Sequence, residues 1–216
     1  MKYKNPVDAV FVERPNRFIA RVDIDGVIET VHVKNTGRCR ELLIPGVPVI
    51  LDKSENPNRK TAYDLVSVHK PNLGWVNIDS QAPNKVMEEY LKKQDYTYIK
   101  PEYKYGNSRV DFYLERGSEK FLIEVKGCTL EIDGVGYFPD APTERGVKHI
   151  RELIKSLDDG FTPVLCFVIA MEKVAEVLPN EVTHPEFSDV FYEAKSKGVK
   201  VWNMPCRVGK DSLEIA

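Results

Sequence analysis

Asp111, Glu124 and Lys126 stand inside two apolar runs, in the segment Arg109 to Lys126 that reads RVDFYLERGSEKFLIEVK. A carboxylate in an apolar run costs stability unless it is paired or holds a cation. Two of them, with a lysine two residues beyond the second, therefore point to a metal site serving phosphate chemistry. Hard divalent ions take carboxylate and water oxygens, which makes Mg²⁺ or Mn²⁺ the expected cofactor. Such an ion would acidify a water able to attack phosphorus, while the lysine ammonium offsets charge developing on the phosphate oxygens. The expected reaction is phosphodiester hydrolysis, with Asp111 and Glu124 as metal ligands and Asp111, Glu124 and Lys126 as the catalytic set.

The same segment indicates how these groups would be positioned. Arg116-Gly117-Ser118-Glu119 is a polar, glycine-containing break between the apolar runs, which favours a β-hairpin. With the turn centred between Gly117 and Ser118, Asp111 falls opposite Glu124, Val110 opposite Val125, Phe112 opposite Ile123 and Arg109 opposite Lys126. Alternation then places Arg109, Asp111, Tyr113, Leu122, Glu124 and Lys126 on one face. Val110, Phe112, Leu114, Phe121, Ile123 and Val125 form the other, a core face. Opposed residues have Cβ atoms roughly 4.5–5.5 Å apart, within reach of one shared cation. The competing reading makes the two acids ion-pair partners of Arg109 and Lys126 on a solvated hairpin face.

An aspartate followed by E-x-K on the next strand resembles the PD-(D/E)xK nuclease core, with Val110 standing where that motif has proline. The stretch Gly136-Tyr137-Phe138-Pro139-Asp140-Ala141-Pro142-Thr143-Glu144-Arg145-Gly146-Val147-Lys148-His149 resembles the signature of the sugar fermentation stimulation protein A family. Tyr105-Gly106 ahead of Ser108 to Phe112, the Asn35-Thr36-Gly37 turn and Pro45-Gly46 agree with that family's pattern, so the resemblance spans essentially the whole chain. It implies a small OB-like barrel followed by a PD-(D/E)xK restriction-endonuclease-like mixed-sheet domain. DNA binding is the implied activity, with a link to sugar catabolism that no residue here encodes.

The chain has 216 residues with a formal net charge of −2, enough for one large or two small cores and too balanced in charge to coat nucleic acid nonspecifically. No signal-like apolar run follows Met1 and no stretch is long enough to cross a bilayer, so a cytoplasmic protein without membrane contact is expected. Cys39, Cys128, Cys166 and Cys206 are scattered without zinc-ligand spacing and read as reduced, buried thiols.

Character changes around Ser80 to Pro83, which divides the chain into residues 1–81, β-rich and nucleic-acid binding, and 82–216, α/β. In the first part Phe18–Ile24, Val27–Val33, Val47–Leu51, Ala62–Val68 and Trp75–Ile78 read as about five short strands, with a turn at Asp25-Gly26. A small barrel of this kind can bind nucleic acid through basic and aromatic side chains, here Arg14, Arg17, Arg21, Lys34, Arg38, Arg40 and Trp75. In the second part Pro83–Leu91 reads as a helix with Val86, Met87, Tyr90 and Leu91 on one face. The PD-(D/E)xK resemblance implies an extra glutamate on the helix before the core, for which Glu88 or Glu89 is an outside candidate against an ordinary surface role, as is Glu102 on the next strand. Tyr96–Tyr105 reads as a strand, and Leu130–Pro142 as a long loop able to fold over a phosphate backbone. Thr143–Leu157 is a helix capped by Thr143, whose first turns carry Arg145, Lys148 and His149 where free amides already favour an anion. A strand at Pro163–Ala170, a helix at Phe187–Lys197 and a strand at Val199–Trp202 complete a β-α-β ending.

The expected protein is a two-domain, Mg²⁺-dependent DNA nuclease in which Arg109, Arg145, Lys148, Arg38 and Arg17 contact nucleic acid. RNA stays open as a partner, and a homodimer would let two sites cut opposite strands. The alternatives are a noncatalytic DNA-binding regulator and an enzyme acting on a small phosphorylated substrate.

Overall fold

A computed structural model describes residues 1–35, 37–106 and 108–216; Thr36, in the Asn35-Thr36-Gly37 turn, lies outside the described residues. Strands β1 (Pro6–Asn16), β2 (Ile19–Ile24), β3 (Val27–Val33), β4 (Pro48–Lys53) and β5 (Tyr63–Lys70) wind into a small barrel. Antiparallel neighbours run β3-β2-β1-β4-β5, and parallel contacts His32–Asp64 and Val33–Leu65 close the ring between β3 and β5. β6 (Gly74–Asn77) adds to the free side of β5. The β2–β3 turn forms as expected, because Asp25 and Gly26 take φ of +51° and +86°, the left-handed pair a two-residue hairpin needs.

The five expected strands omitted β1, the longest one in the barrel, and counted β6 in its place. Pro6, Asp8, Glu13 and Pro15 break the alternation that would have revealed β1. Register shifts between Phe11 and Glu13 and between Glu13 and Asn16 bend the strand, which pairs with β2 along one edge and β4 along the other.

After the barrel come α1 (Ala82–Leu91) and the antiparallel meander β7 (Tyr98–Tyr105), β8 (Ser108–Arg116) and β9 (Glu119–Cys128). The chain continues through β10 (Leu130–Ile132), β11 (Val135–Phe138), α2 (Glu144–Ser156), β12 (Thr162–Ile169), β13 (Val177–Pro179), α3 (Pro185–Lys197), β14 (Lys200–Gly209) and β15 (Ser212–Ile215). The large sheet has the order β15-β14-β12-β9-β8-β7, with β9, β12 and β14 mutually parallel and the rest antiparallel. The expected long loop at 130–142 is instead largely a hairpin. Asp133 and Gly134 turn it with φ of +51° and +82°, and β11 pairs with β13 in a second, three-stranded sheet. β15 and the second half of β14 were also unforeseen, since polar and charged residues interrupt that stretch.

Both faces of the large sheet are core, whereas one had been expected. On one face Ala82, Val86 and Met87 of α1 pack on Phe112, Phe121 and Ile123. On the other, Val147, Ile150 and Leu153 of α2 and Phe187 and Val190 of α3 meet Leu122, Leu165 and Phe167. This second cluster continues without a break into Phe11, Val22, Val33 and Leu65 of the barrel, so the two parts share a core. A one-residue slip of β9 would move Glu124 into the α1-side cluster, where an unpaired carboxylate costs several kcal/mol on the order expected for a desolvated charge. The pattern around Glu124 thus enforces its own register. All four cysteines are buried and unpaired. No helix among the described residues is long and apolar enough to cross a membrane.

Candidate active site

The β8–β9 hairpin turns at Gly117-Ser118, and Arg116–Glu119, Leu114–Phe121 and Phe112–Ile123 pair in the register expected from sequence. The pairing stops there. Asp111–Glu124, Val110–Val125 and Arg109–Lys126 are not ladder pairs, which corrects the simple picture of opposed acids. On the other edge of β8 the β7 pairing skips Asp111, passing from Tyr103–Val110 to Pro101–Phe112, and Glu102 at the skipped position has φ of +54°. Alternation also breaks: Val110 joins the α2-side cluster with Tyr113, while Phe112 faces α1. The strand is kinked at Asp111, a local irregularity of the kind that re-aims a side chain.

The kink sends the Asp111 carboxylate to two donors. Asn84 in the first turn of α1 donates through Nδ2 to Oδ1 at 2.7 Å, and the backbone amide of Val125 donates to Oδ2 at 2.7 Å. Burial, and then the charge of Glu124, push the Asp111 carboxyl up to about 6, although the Val125 amide, Lys126 and Asn84 pull the other way. Two acids on adjacent strands therefore repel one another across a partly desolvated gap, a configuration that a shared cation relieves.

Glu124 is 2 % exposed. Its Oε1 accepts from Lys126 Nζ at 2.5 Å and from His149 Nδ1, which approaches from α2. Burial alone would raise the Glu124 carboxyl, but His149 and Lys126 hold it below its ordinary value. Its Oε2 makes no hydrogen bond among the described residues, which leaves one oxygen for a ligand. Arg145 Nε donates to His149 Nε2 at 3.3 Å, so Nε2 is the acceptor and Nδ1 carries the proton given to Glu124. Arg145 thereby joins the site through His149, four residues on along one helix face.

Of the groups expected to contact nucleic acid, Lys148 is exposed without an ion-pair partner among the described residues. Arg109 is exposed and paired with Glu102 at 3.3 Å, so neither reaches the acids. Arg17 and Arg38 come together on the barrel, because Arg14 donates to the carbonyls of Gly37, Arg38, Arg17 and Asn35 at 2.9, 2.8, 2.8 and 2.6 Å. Three other barrel candidates have structural roles instead. Arg21 pairs with Glu13 at 2.7 Å, Lys34 with Asp64 at 3.1 Å, and Trp75 packs against His69 and buried clusters. Glu88 is taken by Lys92 and Glu89 by the Met1 ammonium, so neither completes the site.

Asn84 was missed. Its signal was present, a polar side chain three residues before buried Met87 and so at the margin of the buried face of α1. A separate trio, Glu144, His184 and Glu186, could geometrically hold an ion. The Thr143 amide donates to His184 Nδ1 at 3.2 Å, however, which leaves the proton on Nε2 toward Glu144 and no lone pair for a metal.

A cleft of about 410 Å³ runs between the barrel and the second part, lined by Arg17 and Asn35 on one side and Phe138, Asp140 and Thr143 on the other. Its wall includes Gly127, the residue after Lys126.

Residues 81–212 match the family described as Sugar fermentation stimulation protein RE domain, and residues 12–78 match the SfsA N-terminal OB domain. A sugar fermentation stimulation protein homolog from Ruminiclostridium cellulolyticum is 53% identical over 219 residues, covering 100% of this chain and 96% of the relative. A homolog from Caldanaerobacter subterraneus subsp. tengcongensis is 44% identical, covering 100% of this chain and 96% of that one. Among solved structures, Pyrococcus furiosus SfsA in complex with Ca²⁺ superimposes with a TM-score of 0.87 at 27% identity, over 100% of this chain and 95% of the other. The barrel, the mixed sheet behind it and these matches agree, and the chain belongs to the sugar fermentation stimulation protein family.

Proposed function

We propose that this protein is a DNA-binding phosphodiesterase dependent on Mg²⁺ or Mn²⁺, working in the cytoplasm. The observation that carries the reading is a pair of acids on adjacent strands: Asp111, part-buried and held by Asn84 and the Val125 amide, and Glu124, buried with one oxygen left unbonded among the described residues. The donor set fits a hard cation, since both groups are carboxylates. A divalent ion held by Asp111 and Glu124 would neutralise the pair, polarise a phosphate oxygen and acidify water. The structure of the Pyrococcus furiosus relative in complex with Ca²⁺ supports a divalent-cation site in this family.

The chain's own residues supply the rest. Asn84 and the Val125 amide fix the Asp111 carboxylate, and His149 fixes Glu124. Lys126, part-buried beside Glu124, would offer an ammonium to a phosphate oxygen of a bound strand. Arg145 and Lys148 on the first turns of α2 hold the backbone. The second reading, a noncatalytic DNA-binding regulator, is favoured by one observation: Lys126 and His149 both already donate to Glu124, so its charge is balanced by the lysine without a cation.

Cleavage of labelled single-stranded, duplex and branched DNA, and of RNA, with Mg²⁺, Mn²⁺ or EDTA separates the two. Metal-dependent cutting lost in Asp111→Ala and Lys126→Ala, with binding retained, is the expected result. Equal binding and no cutting by any of the three proteins would leave the regulator.

A further inference from the structure

We propose that the arginine-lined hollow on the barrel is a pocket for the terminal phosphate of a nucleic-acid strand. The hollow has a volume of about 300 Å³ and is lined by Arg14, Asn16, Arg17, Gly37, Arg38 and Arg40. This inference rests on the nucleic-acid reading above and deepens it by naming the strand end as the feature recognised.

Charge is the first argument. Among the described residues, none of these four arginines lies within ion-pair distance of a carboxylate, although ion pairs are frequent elsewhere on the surface. Arg14 is satisfied by four carbonyl groups and makes no ion pair with an acid, and its Nε is buried without an acceptor among the described residues. Four arginines line this one small hollow, with the Arg17 guanidinium over the Phe18 ring at 4.8 Å, and their like charges favour an anion there. An internal phosphodiester brings a single negative charge, whereas a terminal phosphomonoester brings about 1.5 to 2 and three acceptor oxygens. Guanidinium forks match those oxygens two at a time.

Shape is the second. The hollow is at the small end of ligand cavities, suited to a phosphate with its sugar and too small for a base pair. Pre-organisation is the third. The hydrogen bonds of Arg14 tie the Arg17 carbonyl to those of Gly37 and Arg38, so the two segments that present Arg17 and Arg38 are held together before any ligand binds. Continuity is the fourth. Arg17 also lines the interdomain cleft that leads to Gly127 and Thr143, while Asp140, whose carboxylate lies against Gly37, lines that cleft and not the hollow. A strand end seated among the arginines would have its next nucleotides directed along the cleft toward Lys126.

The test is binding of the full chain, in EDTA, to short internally labelled single strands that carry a 5′-phosphate, a 3′-phosphate or hydroxyls at both ends. One phosphorylated end is expected to bind roughly tenfold tighter than the hydroxyl strand, and the preferred end sets the polarity. In the double variant Arg38→Ala/Arg40→Ala, both exposed and so expected to fold, the ratio of phosphorylated-strand to hydroxyl-strand affinity is expected to fall to about one, whatever the overall loss of affinity. Equal affinity of wild type for all three strands would overturn the pocket and leave the nucleic-acid reading intact. Failure to bind any strand would overturn both.

Discussion

The Asp111 carboxylate accepts the backbone amide of Val125 at 2.7 Å, so the acid of β8 is bonded to the residue that follows the acid of β9. That bond takes the place of strand pairing beyond Phe112–Ile123 and ties the two candidate ligands into one unit. The cost of the arrangement is borne by Asp111, whose carboxyl is pushed up to about 6 by burial and by Glu124.

Asp111→Asn should therefore abolish metal-dependent cleavage while making the metal-free protein more stable. A carboxyl raised in the folded state contributes stability that is full below its unfolded value near 4 and is lost as pH rises through about 6, so at pH 7 the ionised group is a net burden. Asparagine removes that burden, worth about 1–3 kcal/mol. Thermal unfolding in EDTA should show a higher Tm for the variant, and added Mg²⁺ or Mn²⁺ should stabilise only the wild type. A variant less stable than wild type in EDTA at pH 7 would contradict the electrostatic account.

His149→Ala should destabilise the protein by about 1–3 kcal/mol, because it strips a partner from a carboxylate buried in the sheet. Glu124→Gln should absorb part of that cost. A double-mutant cycle by urea denaturation is expected to return a coupling of about 1 kcal/mol or more, and a value near zero would show that the contact carries no stability.

Gly127→Ala should damage the site from outside it. A Cβ there would stand 2.7 Å from Cγ of Pro83, a rigid ring at the start of α1, next to the Asn84 that supports Asp111. Overpacking of this kind costs about 1–3 kcal/mol. Cleavage should fall more than binding, since the shift displaces Asn84 and leaves Arg17 and Arg38 in place.

Arg145→Ala and Lys148→Ala should weaken DNA binding in different ways. Lys148 is exposed and unpaired among the described residues, so its loss should reduce the slope of log affinity against log salt by about one, uniformly across sequences. Arg145 also positions His149, so its loss should additionally lower the cleavage rate of bound DNA.

Acid should unfold the barrel through Asp64. Burial opposes its ionisation, but Arg59, His32 and Lys34 together hold its carboxyl down to about 2. A depressed carboxyl contributes stability that is present above its unfolded value near 4 and is lost as pH falls through about 2. Asp64→Asn should cost about 1–2 kcal/mol at pH 7 after allowance for solvent screening, and should flatten the fall in stability between pH 4 and pH 2. Denaturation midpoints across that range measure it.

The sequence alone determined the hairpin and its register, because Gly117-Ser118 marks the turn and two apolar runs flank it at equal distance. It also marked the barrel hairpin at Asp25-Gly26, the capped helix after Thr143 and the acids themselves, since a charge in an apolar run is visible without coordinates. These are local signals, each set by a few consecutive residues. Tertiary structure decided what those signals cannot encode. β1 is a strand because β2 and β4 flank it, despite prolines and charges that hide its periodicity. Asp111 leaves the ladder because Glu102, Asn84 and the Val125 amide, from three other elements, agree on one kinked geometry. His149 meets Glu124 only because α2 crosses the sheet between β9 and β12, and Arg17 meets Arg38 only because Arg14 binds both segments. Each of these arrangements joins residues from different segments, and it is the packing of those segments on one another that brings them together.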